Sequence, residues 1–235
     1  MYMSTNHEFH LMQLSDSFFP SGMFSMSSGL ESLANAHKIT NWNDVLNFIL
    51  EQIEFQIFPC DCTVLSLAFS GVKNNDLKTV VDIDKKYYSM KFAKEVRNSS
   101  TRSGKQLLNS LIHMIDNQGD RIFLYEFNEK IKSKETPGTY PITLAICAIC
   151  LDIPIESVTR MLLYSFSSSV VSAAIRLGLI QHLDAQKILK LLAQPINTFI
   201  LTNKTKNIQD IWQLTPLVEI HQMNHERNES RMFIT

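Results

Sequence analysis

Apolar residues in this chain recur at three- and four-residue intervals, and that spacing constrains the fold more than any other feature. The longest stripe is Trp42, Val45, Leu46, Ile49, Leu50, Ile53 and Ile57, which puts one continuous apolar face on a helix. Asn41 precedes it as an N-cap, with Asp44 three positions later as an acidic partner. Nowhere do period-two runs bounded by Asn-Gly or Asp-Gly mark hairpins. No repeat recurs at the roughly 30–40-residue periods of helical arrays.

Seven glycines and seven prolines punctuate the 235 residues. Leu11, Leu14 and Phe18 form the first apolar face, and Pro20 ends that helix. Gly22 permits a turn before a helix over residues 25–37. The stripe helix stops at Pro59, and a short helix from Thr63 ends at Gly71. Asn74 or Asn75 caps the next helix, and longer ones follow over residues 92–115 and 121–132. Pro141 and Pro154 open two more helices, reaching about residues 151 and 177. Asp184 caps a helix to residue 193, Pro195 restarts the chain, and Thr215-Pro216 makes an N-cap and first-turn pair. The expected fold is all-α, a single domain over residues 1–235 forming an irregular bundle of about ten helices.

With 45% hydrophobic and 19% charged residues, the chain can bury a large core. Its formal net charge of −1 offers no field to recruit nucleic acid or an acidic membrane. The apolar run at residues 142–151 is about half of the roughly 20 residues a membrane helix needs. Four cysteines, Cys60, Cys62, Cys147 and Cys150, are too few for a secreted disulfide scaffold, so a cytoplasmic location is expected.

Cys147 and Cys150 have C-x-x-C spacing but lie in an apolar run without a positive setting, so they read as buried small hydrophobes. Cys60 and Cys62 read as less buried, yet one C-x-C lacks a tetrahedral ligand set. Gly104-Lys105 is not a phosphate loop, because Ser99 and Gln106 stand where glycine and Ser/Thr are required. His221 and His225 share a helix face without an obvious third ligand. Ser165, Ser169 and Ala173 form a stripe that suits a close helix crossing, within the monomer or between copies.

Four separated blocks resemble the urease accessory protein F (UreF) family, in that family's order. The first is Pro20-x-Gly22-x-Phe24-Ser25-x-Ser27-x-Gly29-Leu30-Glu31. Arg97, Ser100 and Gly104 ahead of Leu107-Leu108 make the second. Tyr140-Pro141 and Ser172-Ala173-Ala174-Ile175-Arg176-Leu177 make the third. The fourth is Pro216, Glu219-Ile220, Met223, His225-Glu226 and then Arg231-Met232-Phe233. The chain departs from the family pattern at Met26 (usually tyrosine), Ala145 (usually glycine) and Leu179-Ile180-Gln181 (usually Pro-Leu-Gly).

The resemblance implies a non-enzymatic, all-helical, dimeric factor for urease maturation. Such a factor would bind accessory proteins D/H, recruit the GTPase accessory protein G, and help deliver nickel to apo-urease. Nickel is then handled by the complex, with no cofactor bound stably by this subunit. The alternative is a direct nickel carrier using Cys60, Cys62, His221 or His225. The implied partner-binding residues are Phe24, Ser25, Met26, Ser27, Glu31, His225, Arg231, Met232 and Phe233, with Glu31 and Arg97 as motif candidates for the GTPase contact. Phe24, Met26, Met232 and Phe233 read as apolar anchors in segments too short to bury themselves. Residues 1–8 and 224–235 are expected to be flexible until a partner orders them.

Overall fold

A computed structural model describes residues 6–20, 26–115, 122–202, 207–225 and 232–233. The described residues are all-helical, as the spacing of the apolar residues predicts, and contain no strand. Helices α1 (Asn6–Ser15) and α2 (Leu30–Asn35) lead into α3 (Trp42–Gln52), which continues without a break through a π-helix (Ile53–Cys62) into α4 (Thr63–Lys73). Then come α5 (Leu77–Met90), α6 (Lys94–Met114), α7 (Ile122–Lys132), α8 (Tyr140–Cys150), α9 (Ile155–Arg176), α10 (His182–Leu201) and α11 (Pro216–His225). Buried apolar residues from Leu14 to Phe233 join in one core.

At the centre sits α8. Every residue from Tyr140 to Ala148 is buried, as expected of a helix that is apolar all round, and α4 and α6 pack against it. Pro141 occupies its first turn, where a missing N–H costs nothing. The helices over Trp42–Lys73 and Ile155–Arg176 are long and apolar enough to cross a bilayer, but most of their apolar windows are buried inside the bundle. They serve as core.

Pro59 does not stop the stripe helix. A proline inside an α-helix lacks an N–H and crowds the carbonyl four residues earlier. Here the backbone widens into the π form around it, and the carbonyl of Phe55 accepts the N–H of Leu214 at 2.8 Å. The carbonyl of Pro59 accepts the N–H of Trp212 at 3.4 Å. Residues 211–215 therefore lie along the π-helix as a strap, through contacts that no local pattern announces. Pro195 does not restart the chain either. Ile188, Leu192, Ile196 and Ile200 carry one buried stripe through it, and their packing outweighs the roughly 3 kcal/mol propensity cost of an interior proline.

Caps differ in detail from the sequence expectation. Asn41 caps α3 and accepts from the N–H groups of Asn43 and Asp44, as expected. Asp76, rather than Asn74 or Asn75, caps α5 by accepting the Thr79 N–H. Gln181 caps α10, with Asp184 as its reciprocal partner inside the first turn. Gly71 lies inside α4, where a Cβ would stand 2.7 Å from Val80 Cγ2, so it permits packing and does not end the helix. The turn ahead of α2 is longer than expected, because α2 begins only at Leu30. Phe18 lies on the surface, 94% exposed, while Phe19 is buried in its place because α1 ends at Ser15.

The loop before α8 is held by a buried carboxylate. Asp84 Oδ2 accepts from Thr136 Oγ1 at 2.6 Å and from the Gly138 N–H at 2.7 Å. Asp84 Oδ1 accepts the Thr139 N–H at 3.0 Å and the Thr139 hydroxyl. Opposite, a Cβ on Gly104 would stand 2.2 Å from the Gly138 carbonyl oxygen, so only glycine lets α6 cross this loop. Asp84→Ala would leave four donors without their acceptor. We expect a loss of about 3–5 kcal/mol of folding stability, read as an earlier midpoint in urea denaturation with unchanged slope.

Candidate partner-binding site

Residues from the first, third and fourth sequence blocks meet at one junction, and Ser100 of the second lines a cavity beside it. Ser28 and Gly29 both take positive φ, 55° and 91°, a sharp left-handed turn that Gly29 adopts without steric cost. A Cβ on Gly29 would also stand 3.0 Å from Val218 Cγ1 and 3.3 Å from Gln222 Cγ. The turn is thus pressed against α11. Behind it, Ser32 Oγ and His221 Nδ1 share a hydrogen bond at 2.9 Å.

Met26 is buried, contrary to the expectation of an exposed anchor. Its carbonyl accepts the Ser169 hydroxyl at 2.9 Å, and its sulfur accepts the Ser99 hydroxyl at 3.1 Å. The small residues of α6 and α9 leave room for a flexible thioether between them. Ser169, in the small-residue stripe, therefore serves a contact within the monomer. Ser27 is fully buried beside it.

Glu31, 5% exposed, reaches the other end of the chain. Its Oε1 accepts the Met232 N–H at 2.8 Å and its Oε2 accepts the Phe233 N–H at 3.2 Å. Such charge-assisted bonds are each worth about 1.5–3 kcal/mol. Phe233 is buried too, also unlike the expectation, with the Arg176 guanidinium 4.3 Å from its ring centroid. That cation–π contact adds about 0.5–1 kcal/mol at an exposed arginine. Met232 stays 61% exposed. His225 ends α11, while its side chain and residues Phe24, Ser25 and Arg231 lie outside the described residues.

Motif matching leaves Arg176, Ser99 and Gln222 without a role, although Arg176 stands in the third block. Their part depends on which helix faces cross, and spacing along the chain carries no trace of that. Arg97, the other GTPase candidate, bonds the carbonyls of Lys91 and Phe92 at 2.6 and 2.8 Å and so ties the turn between α5 and α6.

Beside the junction a second polar network ties the strap to the core. Lys91 Nζ pairs with Asp61 Oδ2 at 2.9 Å and donates to Gln213 Oε1 at 3.0 Å. Tyr87 donates to Asp61 Oδ1 at 2.6 Å. Gln213 Nε2 donates to the Met90 carbonyl at 3.0 Å and to Glu219 Oε1 at 2.6 Å. Burial disfavours the Lys91 ammonium, but the Asp61 carboxylate beside it outweighs that and holds its pKa above the ordinary lysine value. Burial, then the Asp61 charge, pushes the Tyr87 phenol well up. A cavity of about 80 Å³ lies here, lined by Asp61, Tyr87, Lys91, Ser100 and Gln222 with Met26 at its edge.

Burial holds Cys60 and Cys147 as thiols. Cys60 and Cys62 are buried, where the sequence suggested partial exposure, because the π-helix turns both into the core. Burial pushes the Cys60 thiol up to about 12 despite the nearby Lys91. It also holds Cys147 above the ordinary thiol range. Among the described residues no three His, Cys, Asp or Glu side chains gather as a metal site. In particular, Cys60 and Cys62 are not brought to His221, which is bonded to Ser32.

Comparison with known proteins places this chain in a family. The family model described as UreF matches residues 39–193. The urease accessory protein UreF of Trichodesmium erythraeum (strain IMS101) is 29% identical over 223 residues, covering 95% of this chain and 94% of that protein. That of Bacillus sp. (strain TB-90) is 29% identical over 230 residues, covering 98% and 100%. UreF 2 of Brucella suis (strain ATCC 23445 / NCTC 10510) is 29% identical over 233 residues, covering 99% and 94%. With about two thirds of its length matched by the family model, the chain belongs to the UreF family.

Proposed function

We propose that this chain is a non-enzymatic urease accessory scaffold. It joins accessory proteins D/H to the GTPase G, as a cytoplasmic homodimer, so that GTP turnover drives nickel insertion into apo-urease. Nickel is cargo of the complex and not a resident cofactor of this subunit. Family membership supports the urease role, since the relatives carry the name urease accessory protein.

One observation carries the reading to particular residues: the signature turn and the C-terminal tail form a single surface unit. Glu31 holds the backbone of Met232 and Phe233, and Met232 projects from it 61% exposed. A partner meeting this unit contacts both ends of the chain at once. Truncated side chains there would cost affinity disproportionately, as buried anchors at interface centres do. Phe24, Ser25, His225 and Arg231 complete the proposed contact set.

Two measurements test this. Deletion of residues 224–235 should abolish co-purification with proteins D/H and nickel-dependent urease activity on co-expression, while the helical circular dichroism persists. Undiminished capture by the truncated chain would remove the tail from the contact. Separately, Glu31→Gln weakens the acceptor for two amides. Hydrogen exchange at Met232 and Phe233 should accelerate roughly tenfold, with core amides unchanged.

A further inference from the structure

Between α3, the π-helix and the strap lies a cleft of about 420 Å³, adjoining the Gly29 turn through Val218. Buried Phe48 and Val218 contribute its floor. Its walls are apolar and open: Phe55 is 37%, Leu217 55% and Leu214 64% exposed. Leu214 spends its amide on the Phe55 carbonyl, and its side chain is left in the cleft.

Charge along the cleft is one-sided. Asp44, Asn47 and Glu51 line it from a single face of α3, at steps of three and four residues. Asp44 accepts from the Thr40 N–H and hydroxyl and from Asn41 Nδ2. The Thr40 amide above all keeps its carboxyl below the ordinary range, so the charge persists at neutral pH. Glu51 is exposed and makes no side-chain hydrogen bond or ion pair among the described residues. The strap wall carries no charge, and Lys38 is the lone cation among the lining residues.

We propose that this cleft docks an amphipathic helix of a partner protein, with an apolar stripe on Phe55, Leu214 and Leu217 and Lys or Arg residues along one edge facing Asp44 and Glu51. The match is the helix-in-groove mode, in which apolar anchors fill the groove and charge fixes the register. Two carboxylates seven residues apart on α3 stand about 10 Å apart along the axis. The partner's basic residues are therefore about two helical turns apart. The inference does not depend on the urease reading, because the isolated chain should bind such a helix.

The test uses two fluorescein-labelled synthetic helical peptides with the same leucine stripe. One carries lysines seven residues apart along the edge, the other glutamates. Fluorescence anisotropy with the full chain should show the lysine peptide binding about tenfold more tightly. Glu51→Lys should erase that preference, and Leu217→Asp should remove binding of both peptides while circular dichroism stays unchanged. Equal binding of the two peptides, or binding indifferent to both substitutions, would overturn the proposal. So would an absence of peptide binding together with self-association that Leu217→Asp abolishes, which would assign the cleft to a second copy. Binding seen only after removal of residues 226–235 would assign it to the chain's own tail and overturn it equally.

Discussion

Proline at position 59 has no N–H to give the Phe55 carbonyl, and the Leu214 amide donates to that carbonyl from outside the helix. Much of the molecule hangs on this exchange. The strap it fixes carries Gln213 into the Lys91–Asp61 network and delivers α11 against the Gly29 turn. Without the strap, α11 would have little to hold it, since Val218 and Gln222 are its main buried side chains. The π-helix is thus a socket as well as an irregularity, in keeping with the tendency of such widened turns to occur at functional places.

Helix identity was legible because each helix needs one apolar face, and the intervals of Ile, Leu and Val record that need directly. Prolines were read too literally. Pro141 and Pro154 open helices as their fixed φ suggests, but Pro59 and Pro195 sit within helices whose buried faces continue across them. Tertiary contacts over a separation of about 160 residues settled the first case. The buried hub at Asp84 left no local signal either, because its four donors come from residues more than fifty positions away.

The functional surface was legible as motif but not as geometry. Met26 and Phe233 read as apolar anchors because each stands in a segment too short to bury a large side chain alone. In the structure Ser99 and Ser169 receive Met26, while Arg176 and Glu31 receive the tail. The site is therefore a product of crossing helices. Its described charged members, Glu31 and Arg176, are committed internally, and Met232 is left 61% exposed.

The bonds from Glu31 to the tail join residues 201 and 202 positions apart. At ordinary translation rates Glu31 is synthesised roughly 10–40 s before Phe233. Throughout that interval the signature turn lacks the amides that Glu31 binds. A chain released early by the ribosome could hold most of the helical core and still lack the finished surface. The unit thus closes only after the helical core that separates its two halves along the chain has been made.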